Sequence, residues 1–187
     1  TKILQNGIDL ELIRNSCNYG LKRNKVVSLR ALTPLYQIER IIESRDKSDN
    51  FLGLEFIYPF EDKKYLKKIK SITKKKDRMH GRLEINAMFK LFENTLMAIS
   101  IPYSDSSPKS VYEALCCGVP VAVNQNEYIE TLPEILRNRL ILVDLNNSLW
   151  LEIALEKAKK ISSRPFDINS KKLSVIDRVE SIRILGS

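Results

Sequence analysis

Ile101–Val123 reads IPYSDSSPKSVYEALCCGVPVAV, and the fold can be worked out from this stretch. The apolar run Leu96–Ile101 (LMAISI) leads in as a strand and breaks into the polar loop Ser104-Asp105-Ser106-Ser107. Pro108 opens a helix that runs to Cys117, because a first-turn position needs no N–H donor and suits the fixed φ of proline. Gly118 stands just past its end, and Val119–Val123 (VPVAV) returns as a strand. A strand, a helix and a second strand in this order form a parallel crossover unit. Both strands are apolar throughout and do not alternate, as a sheet covered by helices on both faces requires.

The same alternation extends in both directions. Lys25–Leu29 (KVVSL), Leu52–Tyr58 (LGLEFIY) and Leu140–Val143 (LILV) have the composition of buried strands, and a short strand is expected near Met79. Helices are expected at Leu35–Ser44, Glu61–Ile72 and Ser148–Ile161 from apolar residues at helical spacing, and also at Leu83–Phe92 and Asp167–Leu185. In Glu61–Ile72 the apolar face is Tyr65, Leu66, Ile69 and Ile72, with lysines opposite. The expected class is α/β, a three-layer domain with a mostly parallel sheet. Ligands of such sheets bind beyond the carboxyl ends of the strands.

Composition limits the function classes. The 187 residues carry 31 Lys+Arg and 23 Asp+Glu, a net charge of +8 with a pI near 9.4. With 43% hydrophobic residues the chain can build a core and is too apolar for a disordered tail. No apolar run approaches the roughly 20 residues of a membrane span. Cys17, Cys116 and Cys117 make a poor disulfide framework and suit a reduced, cytoplasmic setting. His80 is the only histidine, so no Cys/His zinc set is expected. The chain starts at Thr1 without a signal segment and reads as an excised domain or processed fragment.

The loop before the Pro108 helix carries the chemistry. Its hydroxyls and the first-turn N–H groups lie at a positive dipole end, a site for an anion such as a pyrophosphate. Lys109 and Ser110 add charge and a donor. Asp105 and Glu113 can accept hydrogen bonds from sugar or ribose hydroxyls. The competing reading is that Ser and Asp before the helix merely cap it.

Asp105, seven intervening residues, Glu113 and then Ala114-Leu115-Cys116-Cys117-Gly118-Val119-Pro120-Val121 resemble the donor-binding motif of the group 1 retaining glycosyltransferases. Ser104-Asp105-Ser106-Ser107-Pro108-Lys109-Ser110 fits a branch of that family. The resemblance extends to Asn6-Gly7-Ile8-Asp9, to the strand ending at Arg30, and to Gly81-Arg82 with Glu84. It implies a Rossmann-like domain, one half of a GT-B fold, over residues 1–187. Residues 1–20 would lead in from an acceptor-binding amino-terminal domain lying before Thr1. The implied activity is retaining sugar transfer from a nucleotide sugar to a glycan, lipid-linked or other acceptor, the isolated half being inactive. By the same resemblance Arg30 neutralises the leaving pyrophosphate, Asp105 approaches the sugar and Glu113 holds the ribose. Ser106, Ser107, Lys109 and Ser110 surround the phosphates, and His80, Gly81 and Arg82 border the base. No metal or other cofactor is implied.

Three features depart from the family pattern, one of them Asp105, which replaces the commoner Glu and shortens its reach by one methylene. Leu35-Tyr36-Gln37 stands where a lysine is usual, and Tyr58-Pro59-Phe60 replaces a glycine-rich turn. They support a second reading, a catalytically degenerate module acting as an interaction domain. A sugar-nucleotide epimerase shares the fold but needs a histidine and acidic residues in other places. His80 reads as a strand-end residue or a neighbour of the base. Cys116 and Cys117 read as buried packing before redox chemistry. The lysines at 63, 64, 67, 68, 70, 74, 75 and 76 form either a solvated face or a surface for anionic lipid at the inner face of a membrane. No aromatic interleaving suggests nucleic acid.

Overall fold

The computed structural model describes residues 7–17, 22–48 and 53–177. Six strands form one sheet: β1 (Lys25–Ser28), β2 (Leu54–Ile57), β3 (Arg78–Gly81), β4 (Thr95–Ser100), β5 (Val121–Val123) and β6 (Leu140–Leu142). Their spatial order is β3-β2-β1-β4-β5-β6 and every pairing is parallel. The expected mostly parallel sheet is thus wholly parallel in its named strands. Chain order reverses between β1 and β4, which makes their carboxyl ends the place where the two halves of the sheet diverge.

Helices cover both faces. Val26, Phe56, Met97, Ile99, Ala122 and Ile141 point one way, against α2 (Ile38–Asp46), α3 (Lys63–Ile72) and α8 (Trp150–Ser162). Val27, Ala98, Val121 and Val123 point the other way, against α1 (Leu10–Ser16), α4 (Ile85–Glu93) and α5 (Lys109–Cys116). Alternate residues of one strand thus enter two separate cores, and no strand position in β4 is left exposed. Ser44 ties α2 to α8: its hydroxyl donates to the Ser148 carbonyl at 2.9 Å and accepts from Leu151 N–H at 3.1 Å. Among the described residues no helix is long and apolar enough to cross a membrane.

Several elements differ from expectation. The helix expected at Leu35–Ser44 is split into a 3-10 turn, Pro34–Tyr36, and α2, with Gln37 between them at φ 51°. Gln37 is held there by its side-chain amide, which donates to the Ile101 carbonyl at 2.8 Å, while Ile38 N–H donates to the Tyr65 hydroxyl at 2.9 Å. The helix expected at Asp167–Leu185 is, where described, a 3-10 segment at Lys171–Ile176. Leu173 and Ile176 are buried at a spacing of three, which the tighter helix places on one side, and Ile8 N–H then bonds the Ile176 carbonyl at 2.8 Å. Residues 178–187, and Leu52 of the expected second strand, lie outside the described residues, as does Asn6. Sequence periodicity missed α1, which Asp9 caps, and the four-residue helices α6 (Tyr128–Thr131) and α7 (Glu134–Arg137), which are too short to show a period.

Gly118 ends α5 at φ 67°, and a Cβ there would lie 3.3 Å from the Phe166 ring. Gly118→Ala is expected to destabilise the domain by about 1–2 kcal/mol, the cost of a left-handed L-residue. Urea unfolding of the two chains measures it.

Candidate functional site

Arg30 follows β1 and Asp105 lies in the loop after β4, so the sheet reversal brings them together from 75 positions apart. Their ion pair is 2.5 Å long, with side chains only 12% and 13% exposed. The same guanidinium donates to the Ser110 hydroxyl of α5 and to the Tyr36 hydroxyl, each at 3.2 Å. It also lies 4.5 Å from the centre of the Tyr36 ring. The break at Gln37 is what leaves Tyr36 outside α2 and beside Arg30. Tyr36 stands at the departure from the family pattern, and its contact with Arg30 was not legible there.

The loop is fixed from the far side by β5. Asn126 accepts from Asp105 N–H at 3.0 Å, and Asn124 donates to the Pro102 carbonyl at 2.7 Å. These two asparagines were missed in the sequence. Their signal is a polar pair directly after a buried strand, at the same sheet edge as Asp105. Asp105 accepts from Ser107 N–H at 3.3 Å, closing a local turn. Pro108 occupies the cap position of α5 and no side chain caps the helix. The capping reading therefore fails for this loop, and the positive end of α5 carries no side-chain cap.

A cavity of about 350 Å³ opens at this point, bordered by Arg30, Tyr36, Phe60, Arg82, Lys109 and Ser110. Ser107 borders it too, whereas Ser106 is exposed on the loop. Pro59 and Phe60 form one wall, and Phe60 is 57% exposed. The segment is held by Leu32, whose N–H donates to the Phe60 carbonyl at 3.1 Å. A larger cavity of about 780 Å³ lies at the opposite pole, beside Arg23, Gly118 and Arg139. It sits at the amino ends of the strands, away from Arg30 and Asp105.

Glu113 lies one turn inside α5 and is 8% exposed. Burial pushes its carboxyl above the usual range, and Lys109, 3.7 Å away, opposes the shift only in part. Asp105 and Glu113 are not joined: each has its own cation, Arg30 and Lys109. His80 is placed apart from the cavity. Its Nε2 bonds Glu55 at 2.7 Å, and Lys25 pairs with the other Glu55 oxygen at 3.1 Å. Gly81, at φ 69°, ends β3 and its carbonyl accepts from Tyr58 N–H at 3.0 Å. Of the three residues expected at the base, only Arg82 borders the cavity. No group of three His, Cys, Asp or Glu stands together to hold a metal among the described residues.

No protein-family model matches the sequence, and no curated protein matches it. Solved structures do. The structure of Anabaena Alr3699/HepE in complex with UDP aligns over 100% of this chain and 56% of its own, with a TM-score of 0.76 and 14% identity. The sucrose-phosphate synthase of Thermosynechococcus elongatus aligns over 100% of this chain and 51% of its own, at TM-score 0.72 and 12% identity. AviGT4, a glycosyltransferase involved in avilamycin A biosynthesis, aligns over 100% and 56%, at TM-score 0.69 and 11% identity. The chain folds as one half of the GT-B architecture. It spans about half the length of these three structures. In that fold, the junction of Arg30, Asp105 and α5 lies at the reversal of strand order.

Glu113 gives this site a pH signature. Its folded-state carboxyl sits above the ordinary 4.5, so the folded chain holds a proton that the unfolded chain releases. Stability therefore falls as pH rises from about 4.5 through the raised value. Glu113→Gln is expected to melt higher than the parent at pH 7, with the difference closing below pH 4.5. Melting curves across that range show it.

Proposed function

We propose that the chain is the nucleotide-sugar-binding half of a retaining glycosyltransferase that passes a hexosyl group to a glycan, lipid-linked or other acceptor. The observation that carries this reading is the convergence of Arg30, Ser110, Lys109 and the uncapped end of α5 on one cavity. Sugar transfer leaves a nucleoside diphosphate on which negative charge grows. The Arg30 guanidinium and a helix amino terminus, fixed in place beforehand, stabilise that charge without reorganising, and Lys109 adds a second cation. In this reading the diphosphate lies against Arg30, Lys109 and Ser110, and the phosphate charge is met by these groups without a divalent metal. Glu113 accepts from the ribose hydroxyls. Asp105, oriented by Arg30 and Asn126, faces the sugar. The acceptor is held by a preceding domain, so this half binds donor without turning it over.

Tyr36 favours a second reading. Its ring and hydroxyl engage Arg30 where the related pattern has lysine, so one phosphate-facing cation is absent. A chain that keeps the fold but binds no nucleotide would be an interaction module. A partner surface of another kind is α3: Lys63, Lys64, Lys67, Lys68 and Lys70 are all exposed, while Tyr65 and Ile69 enter the core. An anionic bilayer, at the inner face of a cytoplasmic membrane, would meet the chain there.

UDP or GDP at about 100 times its dissociation constant is expected to stabilise the chain by about 2.7 kcal/mol, seen as a rise of several degrees in melting temperature. EDTA is expected to leave that rise unchanged. Arg30→Ala and Glu113→Ala are each expected to abolish it, read as the ligand-induced shift of each variant against its own unliganded melt. No shift with either nucleotide rejects the donor-binding reading in favour of the interaction module. Sedimentation with phosphatidylglycerol vesicles tests α3: binding is expected to fall at least tenfold when Lys63, Lys64, Lys67 and Lys70 become Glu, and to be absent with phosphatidylcholine.

A further inference from the structure

We propose that Cys17 and Cys117 form a reversible intramolecular disulfide that joins the carboxyl end of α1 to the carboxyl end of α5. The two residues are 100 positions apart, and their Sγ atoms lie 3.0 Å from each other. A disulfide bond is about 2.0 Å long, so the sulfurs need approach by only about one further ångström. Each cysteine is the C-cap of its helix. Cys17 N–H donates to the Ile13 carbonyl and Cys117 N–H to the Glu113 carbonyl, both at 3.0 Å. Arg23 holds the Cys117 carbonyl at 2.8 Å. Both backbones are therefore fixed in place while the side chains face each other, and α1 packs directly on α5.

Sequence alone favours packing for Cys117, and burial agrees, since it is 1% exposed. The structure adds a partner that sequence distance hides. Cys17 is only partly buried, so a small oxidant reaches it first. Burial and the neighbouring Cys17 sulfur push the Cys117 thiol up, which keeps it from reacting on its own. Cys116 is 0% exposed, and the contact to Cys17 is made by its neighbour.

The co-reactant is a small-molecule disulfide, such as oxidised glutathione. The Cys17 thiolate attacks one sulfur of that disulfide, whose S–S bond breaks and releases one thiolate. Cys117 then gives up its proton and attacks Cys17 Sγ, displacing the second thiolate. Two protein thiols lose two electrons and two protons, and the small disulfide is reduced to two thiols. The product closes a loop that takes in β1 to β4, four of the six strands. Such a cross-link restricts the unfolded chain and raises the melting temperature.

The test is incubation of the reduced chain with oxidised glutathione, alkylation of the remaining thiols, and peptide mass mapping. The expected product is a monomer lacking two hydrogens, with a Cys17–Cys117 cross-linked peptide and one alkylated thiol at Cys116. Its melting temperature is expected to be several degrees above that of the reduced chain, and dithiothreitol is expected to reverse the change. Cys116→Ser should retain the cross-link, and Cys17→Ser should lose both the cross-link and the melting shift. A stable glutathione adduct on Cys17, a disulfide-linked dimer, a bridge to Cys116, or three alkylated thiols after incubation would each overturn the proposal. The mapping is made on the parent chain, so it does not depend on the variants folding. It is also independent of nucleotide binding.

Discussion

Arg30 and Asp105 meet across the reversal of the sheet, and the candidate site is arranged around that ion pair. β1 and β4 are neighbours, but after them the chain turns in opposite directions, toward α2 and toward α5. A gap is the geometric result. Arg30 fills it with one guanidinium shared by the β4 loop, the first turn of α5 and the 3-10 turn at Tyr36. The pair is about seven-eighths buried, so removing either partner would leave a poorly solvated charge. Replacing the pair with apolar groups would keep the sheet and lose the charges that give the crevice its chemistry.

α5 serves opposite needs at its two ends. Its amino end is left without a side-chain cap and faces the cavity. Its carboxyl end is saturated: Arg23 donates to the carbonyls of Cys117 and Gly118 at 2.8 and 2.6 Å, and Arg139 to that of Gly118 at 2.8 Å. Cations at a helix carboxyl end complement its dipole. Burial, with Arg23 and Arg164 near by, lowers the Arg139 guanidinium to about 10, and it still bonds three carbonyls. The larger cavity at that pole is thus bordered by arginines already engaged in holding the helix. At the other pole the polar groups are strained or poorly compensated. Gln37 sits at a left-handed φ, and Glu113 is a buried carboxyl whose cation, Lys109 at 3.7 Å, is exposed. Local costs of this kind cluster at functional sites in folded proteins.

The net charge of +8 divides between the two faces of the question it raised. Only Arg30, Arg82 and Lys109 border the cavity. The lysines of α3 face outward, and Lys68 and Lys74 pair with Glu39 and Asp46 of α2. The overall excess of base therefore reports on the outer surface more than on the crevice.

The sequence by itself determined the alternation of apolar strands and amphipathic helices, because burial on two faces leaves an unbroken apolar run in each strand. It also determined the bounds of α5, since Pro108 and Gly118 delimit that helix by local backbone rules that need no tertiary contact. Its failures were of two kinds. Helices as short as α6, and the 3-10 segment at Lys171–Ile176, have no period long enough to detect, and their form follows from what they pack against. His80 and Arg82 lie two residues apart in sequence, yet His80 lies in β3 and meets Glu55 of β2, while Arg82 follows the left-handed Gly81 and borders the cavity. Contacts between distant residues were decided by the tertiary structure alone. Tyr36 on Arg30, Asn126 on Asp105 and Cys17 on Cys117 all depend on strand order and helix packing, which bring together groups that nothing in their local sequence relates.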